Sequence, residues 1–132
     1  MSAVVVDTDI VSFLFKGHSA ASLYQADLTG KALVISFMTV AELERWPIHA
    51  KWGQNKRDRL MEYLRPFAVM PWDRALCTRW AEVMTDAQAK GYRIDYADAW
   101  IAATALQYGL PLVTQNRDDY RGVSGLTVIC QR

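Results

Sequence analysis

Ala3-Val4-Val5-Val6-Asp7-Thr8-Asp9 sets the architecture of this chain. Four apolar residues, three of them β-branched, with no polar alternation, fit a central strand of a parallel sheet, where helices cover both faces and no position meets water. The run ends abruptly in acid. Ligands of open α/β sheets bind beyond the carboxyl ends of the strands, so Asp7-Thr8-Asp9 stands where chemistry is expected. Asp9 has an ordinary explanation as N-cap of a helix from Ile10 to Lys16, closed by Gly17. Asp7, at the tip of a buried strand, has none.

Further along, Ser19 can cap a short helix to about Leu28, and Gly30 precedes a second strand, Ala32 to Phe37. Thr39-Val40-Ala41-Glu42 matches a capping box, with Glu42 bonding back to the cap amide, and it serves equally well as a source of a metal-binding carboxylate. Pro47 is expected to end or kink that helix near Trp46. A helix from about Gln54 buries Leu60, Met61 and Leu64; Phe67 to Met70 is a third strand; and Asp73 caps a long amphipathic helix reaching Lys90. In Asp95-Tyr96-Ala97-Asp98-Ala99-Trp100-Ile101-Ala102-Ala103-Thr104-Ala105-Leu106, Asp95 reads as N-cap and Asp98 as a first-turn acid. The alanines favour helix and admit a close neighbour, and Gly109-Leu110-Pro111 stops it. Leu112 to Thr114 is a fourth strand, followed by the polar run Thr114-Gln115-Asn116-Arg117-Asp118-Asp119-Tyr120, and Leu126 to Ile129 is a fifth. This alternation of strands and helices predicts an α/β fold on a mostly parallel sheet.

At 132 residues, 52% hydrophobic and 22% charged, the chain is expected to form one domain, 1–132, with a substantial core. Its formal net charge of +1 gives no global argument for nucleic-acid binding, so any such role rests on local clustering. The clearest cluster is Arg45 to Arg65, where His49, Lys51, Lys56, Arg57 and Arg59 interleave with Trp46, Trp52 and Tyr63. Cys77 and Cys130 are the only cysteines, which argues against a disulfide framework or a zinc site. No apolar run approaches membrane-spanning length and no targeting signal is visible, so a soluble, cytoplasmic protein without membrane attachment is expected.

Asp7, Glu42 and Asp119 fall just beyond strands and Asp98 opens a helix, so one end of the sheet can present all four. Carboxylates held together oppose one another's ionisation, and such a cluster is best maintained by cations. Hard oxygen donors without Cys or His suit Mg²⁺ or Mn²⁺, and metal-assisted phosphodiester hydrolysis follows.

With these motifs in order, the chain resembles the PIN-domain ribonucleases, specifically the VapC-type toxins of toxin–antitoxin systems. The resemblance is carried by Asp7-Thr8-Asp9, by Thr39-Val40-Ala41-Glu42-Leu43, by Ala97-Asp98-Ala99-Trp100-Ile101-Ala102-Ala103 and by Thr114-Gln115-Asn116-Arg117-Asp118-Asp119-Tyr120. It implies a three-layer α/β/α sandwich, a Mg²⁺- or Mn²⁺-dependent endoribonuclease, a homodimer, an RNA substrate and a cognate VapB-like antitoxin. Asp7, Glu42 and Asp98 match the family's metal-binding acids and Asp119 the more variable fourth, with Thr8, Thr114 and Asn116 as supporting groups. Asp9 stands where the family often has Asn, and Asp118 beside Asp119 leaves open which faces the metal. Two alternatives remain. Val4-Val5-Val6-Asp7-Thr8-Asp9 also resembles the first motif of haloacid-dehalogenase-type phosphatases, with Asp7 as nucleophile and Asp9 as acid/base, and a non-catalytic RNA- or protein-binding module would use the acids only as helix caps.

Overall fold

Val4, Val5 and Val6 lie at the centre of a sheet, none more than 1% exposed. The computed structural model describes residues 2–132. Strand β1 (Ala3–Val6) is flanked by β2 (Ala32–Ser36) and β4 (Leu112–Val113), with β3 (Ala68–Met70) and β5 (Val128–Ile129) outside, in the order β3-β2-β1-β4-β5. Every pairing is parallel; Val5 lies opposite Val34 on one side and Leu112 on the other. The expected three-layer α/β/α architecture is the one observed.

The period-two geometry of β1 divides the core between the layers. Val5 joins Leu76, Val83, Ala99, Ala102 and Ala103 beneath helices α5 (Arg74–Ala89) and α6 (Tyr96–Tyr108). Val4 and Val6 join Ile10, Val11, Leu43 and Leu60 beneath α1 (Thr8–Lys16), α3 (Phe37–His49) and α4 (Gln54–Leu64). Burying each Val or Leu contributes about 1.5–3 kcal/mol, which makes this double-sided strand the anchor of the fold. Helix α6 is apolar nearly all round: Ala99, Ile101, Ala102, Ala103, Thr104 and Ala105 are buried, and Gly109 ends it at φ 64°.

The chain runs from β1 outward through β2 to β3, then returns to the other side of β1 for β4. The strand order therefore reverses between β1 and β4, and at this switch point the loops beyond the two strands diverge and open a crevice. Asp7 and Thr114 are the first residues beyond those two strands.

Several local expectations need correction. Helix α1 begins at Thr8, one strand-to-helix step earlier than read: Asp7, not Asp9, is its N-cap, and its Oδ1 accepts from the Thr8 amide at 2.8 Å. Helix α3 likewise follows β2 without a loop, so its cap is Ser36, whose hydroxyl accepts from the Met38 amide at 3.0 Å, and Thr39 lies inside the first turn. His18, not Ser19, caps the next segment, which is a 3-10 helix (Ser19–Tyr24) leading into the one-turn helix α2 (Gln25–Leu28). Pro47 is buried inside α3, which continues to His49, so it sits in the last turn.

Trp46 and Trp52, interleaved with the basic cluster in the sequence, pack largely on one another and on Phe15, with ring centroids 4.5 Å and 6.0–6.1 Å apart. Trp80 stacks on Trp100 at 5.1 Å. No helix among the described residues is long and apolar enough to cross a membrane.

Candidate active site

The crevice beyond β1 and β4 is built around Asp7. Its side chain is 6% exposed, the unusual condition of a carboxylate in a core. Three donors hold it: the Thr8 amide on Oδ1, and on Oδ2 the Thr114 hydroxyl at 2.7 Å and the Tyr120 hydroxyl at 2.9 Å. Burial still raises its pKa against these bonds, and the charge of Asp119 adds to the rise.

Asp98, in the first turn of α6, approaches from the other side of the same phenol, with its Oδ1 3.4 Å from the Tyr120 oxygen. A phenol has one proton to donate and it goes to the nearer Asp7, so the contact with Asp98 becomes a hydrogen bond only when Asp98 is itself protonated. The electrostatics agree with such crowding. Burial first, then the charges of Asp7, Asp119, Asp95 and Glu42, push Asp98 up to about 7. Burial, with Asp7 and Asp98 alongside, raises the Tyr120 phenol as well, so it remains a donor.

Glu42 does not fold back onto a cap amide. Its Oε1 accepts from the Thr8 hydroxyl at 2.7 Å, and the Thr39 hydroxyl lies 3.0 Å from that of Thr8, so the two threonines orient the carboxylate toward the end of β1. Burial raises the Glu42 pKa, opposed by the Thr8 bond and aided by the charge of Asp7. Asp119 is exposed in the 3-10 turn Arg117–Tyr120, and its charge is felt at both Asp7 and Asp98.

Asp9 takes a different direction. Its Oδ2 accepts from the Gln115 amide at 3.1 Å and the Asn116 side-chain amide at 2.8 Å, bracing α1 against the loop after β4. Its Oδ1 is buried without a partner, and burial together with the charge of Asp7 pushes it up to about 7.

Sequence reasoning missed Tyr120 and Tyr24. Tyr120 figured only as an aromatic residue after an acid, yet its hydroxyl stands between Asp7 and Asp98, whose pKa values are both raised. Tyr24 is fully buried; its hydroxyl contacts the Thr114 carbonyl and the Gln115 side-chain carbonyl and accepts from the Gln131 amide, fixing the loop that carries Asn116. Nothing in the sequence around either tyrosine marks it for such a role.

The three ion pairs among the described residues, Arg65–Glu62, Arg79–Glu82 and Lys90–Asp86, all lie on other surfaces. The acids of the crevice thus form no ion pair among the described residues. Among the described residues, no three acidic, histidine or cysteine side chains converge closely enough to hold a metal as they stand. The donor set is nevertheless of the right chemistry for one: hard carboxylate oxygens on Asp7, Glu42 and Asp98, raised by burial and by one another's charge, which a divalent cation relieves.

Two depressions flank the acids. One, of about 370 Å³, is lined by Thr8, Asp9, Ser12, Lys16, Glu42 and Trp46. The other, of about 430 Å³, is lined in part by Asn116, Arg117, Asp118, Asp119 and Arg132. A larger apolar cavity of about 710 Å³, lined by Leu14, Leu28, Leu33, Tyr63 and Phe67 among others, holds none of the crevice acids.

Four acids, Asp7 just beyond β1, Glu42 on α3, Asp98 on α6 and Asp119 in the turn after β4, linked by the effects of their charges on one another, set the terms for comparison with known proteins. The PIN domain family model matches residues 4–125. This chain belongs to the PIN-domain family. Among curated relatives, ribonuclease VapC4 of Mycobacterium tuberculosis is 30% identical over 118 residues, covering 88% of this chain and 90% of that protein. The VapC ribonuclease Y4jK of Sinorhizobium fredii is 29% identical over 136 residues, covering 96% and 95%. Among solved structures, VapBC2 of Rickettsia felis bound to a DNA fragment from its promoter aligns with a TM-score of 0.83 at 20% identity, over 97% of this chain and 98% of that one. At that identity the likeness speaks for the shared fold of this PIN domain.

Proposed function

We infer that this PIN-domain protein is a VapC-type endoribonuclease, the toxin of a toxin–antitoxin pair, and that it hydrolyses RNA phosphodiester bonds in the cytoplasm with Mg²⁺ or Mn²⁺. The single observation that carries the chemistry is the pairing of Asp7 and Asp98 across the Tyr120 hydroxyl, with neither acid in an ion pair among the described residues. Capping alone asks only that each acid sit at its own helix, and does not ask that they meet. The VapC relatives supply the substrate class, RNA, and the VapBC structure supplies the partner class, a VapB-like antitoxin.

In this reading Asp7, Glu42 and Asp98 would hold the cation, with Asp119 nearby on the exposed rim as the more variable fourth acid. A bound divalent cation supplies charge neutralisation at the phosphate and acidifies a water enough for it to attack at neutral pH. Asp98, raised to about 7 by burial and its acidic neighbours while no cation is present, would be held ionised by one and would orient the attacking water. Thr8 and Thr39 keep Glu42 aimed at the cleft, and Thr114 and Tyr120 keep Asp7 from rotating. Lys16 on one side and Arg117 and Arg132 on the other line the flanking depressions and hold the neighbouring phosphates. In-line attack of water on phosphorus would break the P–O3′ bond, leaving a 5′-phosphate and, with a proton taken up from solvent, a 3′-hydroxyl.

A phosphatase with Asp7 as nucleophile is not favoured. Its acid/base would be Asp9, whose Oδ2 is instead held by Gln115 and Asn116, and Glu42 and Asp98 would have no role. A homodimer remains part of the proposal.

The test is cleavage of candidate RNAs by the purified protein in Mg²⁺ or Mn²⁺ against chelator, with the cut ends sequenced. Metal-dependent internal cuts bearing 5′-phosphates are expected. Cleavage undiminished by chelator refutes the metal reading, and a trapped phosphoaspartate at Asp7 refutes the nuclease.

A further inference from the structure

Tyr120 does something in this cleft that an aromatic ring alone would not. Its side chain is 3% exposed, so the ring belongs to the core, yet its hydroxyl emerges between two carboxylates from different elements. The three hydrogen bonds on Asp7 are unevenly divided, one on Oδ1 and two on Oδ2. A carboxylate has about four lone-pair positions, two on each oxygen. Oδ2 is therefore fully engaged, and the one lone pair to spare is on Oδ1.

We propose that Tyr120 is a positioning residue of the metal site: by donating to Asp7 Oδ2 it fixes that carboxylate so that Oδ1 is presented to a divalent cation, and by standing against Asp98 it sets the separation of the two acids. This rests on the metal-dependent reading above and goes beyond it by naming the group that decides how the acids are offered. Without the hydroxyl, Thr114 alone restrains Oδ2, the carboxylate can rotate about its Cβ–Cγ bond, and the α6 side of the site loses its spacer. Groups that hold a ligand in place from outside the coordination sphere typically account for 10–100-fold in metal affinity.

A purely structural role for Tyr120 makes a different prediction, since the ring provides the packing. A competitive role, in which the hydroxyl only satisfies Asp7 in place of a metal, makes the opposite one: its removal should tighten binding.

The experiment is Tyr120→Phe, which keeps the ring and removes the oxygen, with Mn²⁺ binding to the chelator-stripped protein measured calorimetrically in the absence of RNA. Wild type should bind Mn²⁺, and the variant should bind about 10-fold or more weakly, while its urea midpoint in chelator shows the fold intact. Thr114→Val, which strips the other donor from the same oxygen, should weaken binding as well, and Thr114→Ser should restore it. Tyr120→Phe affinity within twofold of wild type, or tighter, overturns the Tyr120 proposal while leaving the nuclease reading in place. A wild-type protein that binds no Mn²⁺ or Mg²⁺ overturns both.

Discussion

Asp98→Asn should make the metal-free protein more stable while abolishing its activity. The carboxamide keeps the size of the side chain and can still meet the Tyr120 hydroxyl, but it cannot ionise. In the wild type the Asp98 carboxyl is raised from 3.8 to about 7. The folded state therefore holds its proton over a range of pH in which the unfolded chain has already released it, and stability falls as pH rises from about 4 to about 7. At about 1.4 kcal/mol per pH unit the whole displacement amounts to about 4 kcal/mol. Asp98 is only half-buried, and solvent screening reduces this to about 1–2 kcal/mol. In chelator at pH 8 the variant should melt roughly 3–8 °C above wild type, and the gap should close toward pH 4, where wild-type Asp98 is as neutral as Asn. Added Mn²⁺ should reverse the order by stabilising wild type more, and cleavage should drop about 100-fold or more. Thermal unfolding at several pH values, with and without chelator, measures all of this. A variant less stable than wild type by the same margin at every pH would refute the repulsion argument, and wild-type turnover would remove Asp98 from the catalytic set.

Asp9→Asn should retain cleavage within about threefold, because Oδ2 braces the Gln115–Asn116 loop and a carboxamide oxygen can accept the same bonds; a loss of two orders of magnitude would make Asp9 a ligand. Gly122→Ala should cost about 1–3 kcal/mol in urea unfolding, since the added Cβ meets those of Ala87 and Tyr92 at 2.8 Å, and an unchanged midpoint would show that this packing yields. Replacing Lys56, Arg57 and Arg59 together should weaken RNA binding and reduce its salt slope by about one for each phosphate no longer neutralised; an unchanged slope assigns these cations to another surface.

The architecture was legible because its signals are redundant. A double-sided apolar strand at Val4–Val6, an alanine-rich helix stopped by Gly109 and the alternation of elements between them all demand the same parallel sheet. Asp7 was legible as a strand-end acid with no structural duty visible in the sequence, and Glu42, Asp98 and Asp119 through their joint placement at one end of the sheet. The local grammar failed where strand and helix join without a loop: capping rules assume an intervening residue or two, so the caps were placed at Asp9 and Thr39 when the chain turns at Asp7 and Ser36. That same error hid a functional detail, since a Glu42 assigned to a capping box is not looked for against Thr8, 34 residues away. Tyr120 was illegible for another reason. Its role depends on partners 113 and 22 residues distant, and no local pattern separates a core phenol from a core phenyl ring.

This placement also determines which variants can be interpreted. Asp7 is at once the cap of α1, a link from β1 to the loop after β4 through Thr114, and the acceptor of the Tyr120 hydroxyl. Removing its carboxylate, as in Asp7→Ala, would leave two buried hydroxyls without their acceptor, at about 1–3 kcal/mol for each group left unsatisfied, and would take away the helix cap for about 1 kcal/mol more. A dead Asp7→Ala protein would then be as well explained by a disrupted crevice as by lost chemistry. Glu42 and Asp98 carry no such structural duty: Glu42 takes a single bond from Thr8, and Asp98 is held in place against the repulsion of its neighbours. Their conservative variants should therefore separate activity from folding, with cleavage lost and the metal-free protein as stable as wild type or more so. If Glu42→Gln and Asp98→Asn instead both unfolded more readily in chelator, the acids would be props of the fold, and the convergence at the switch point would owe nothing to catalysis.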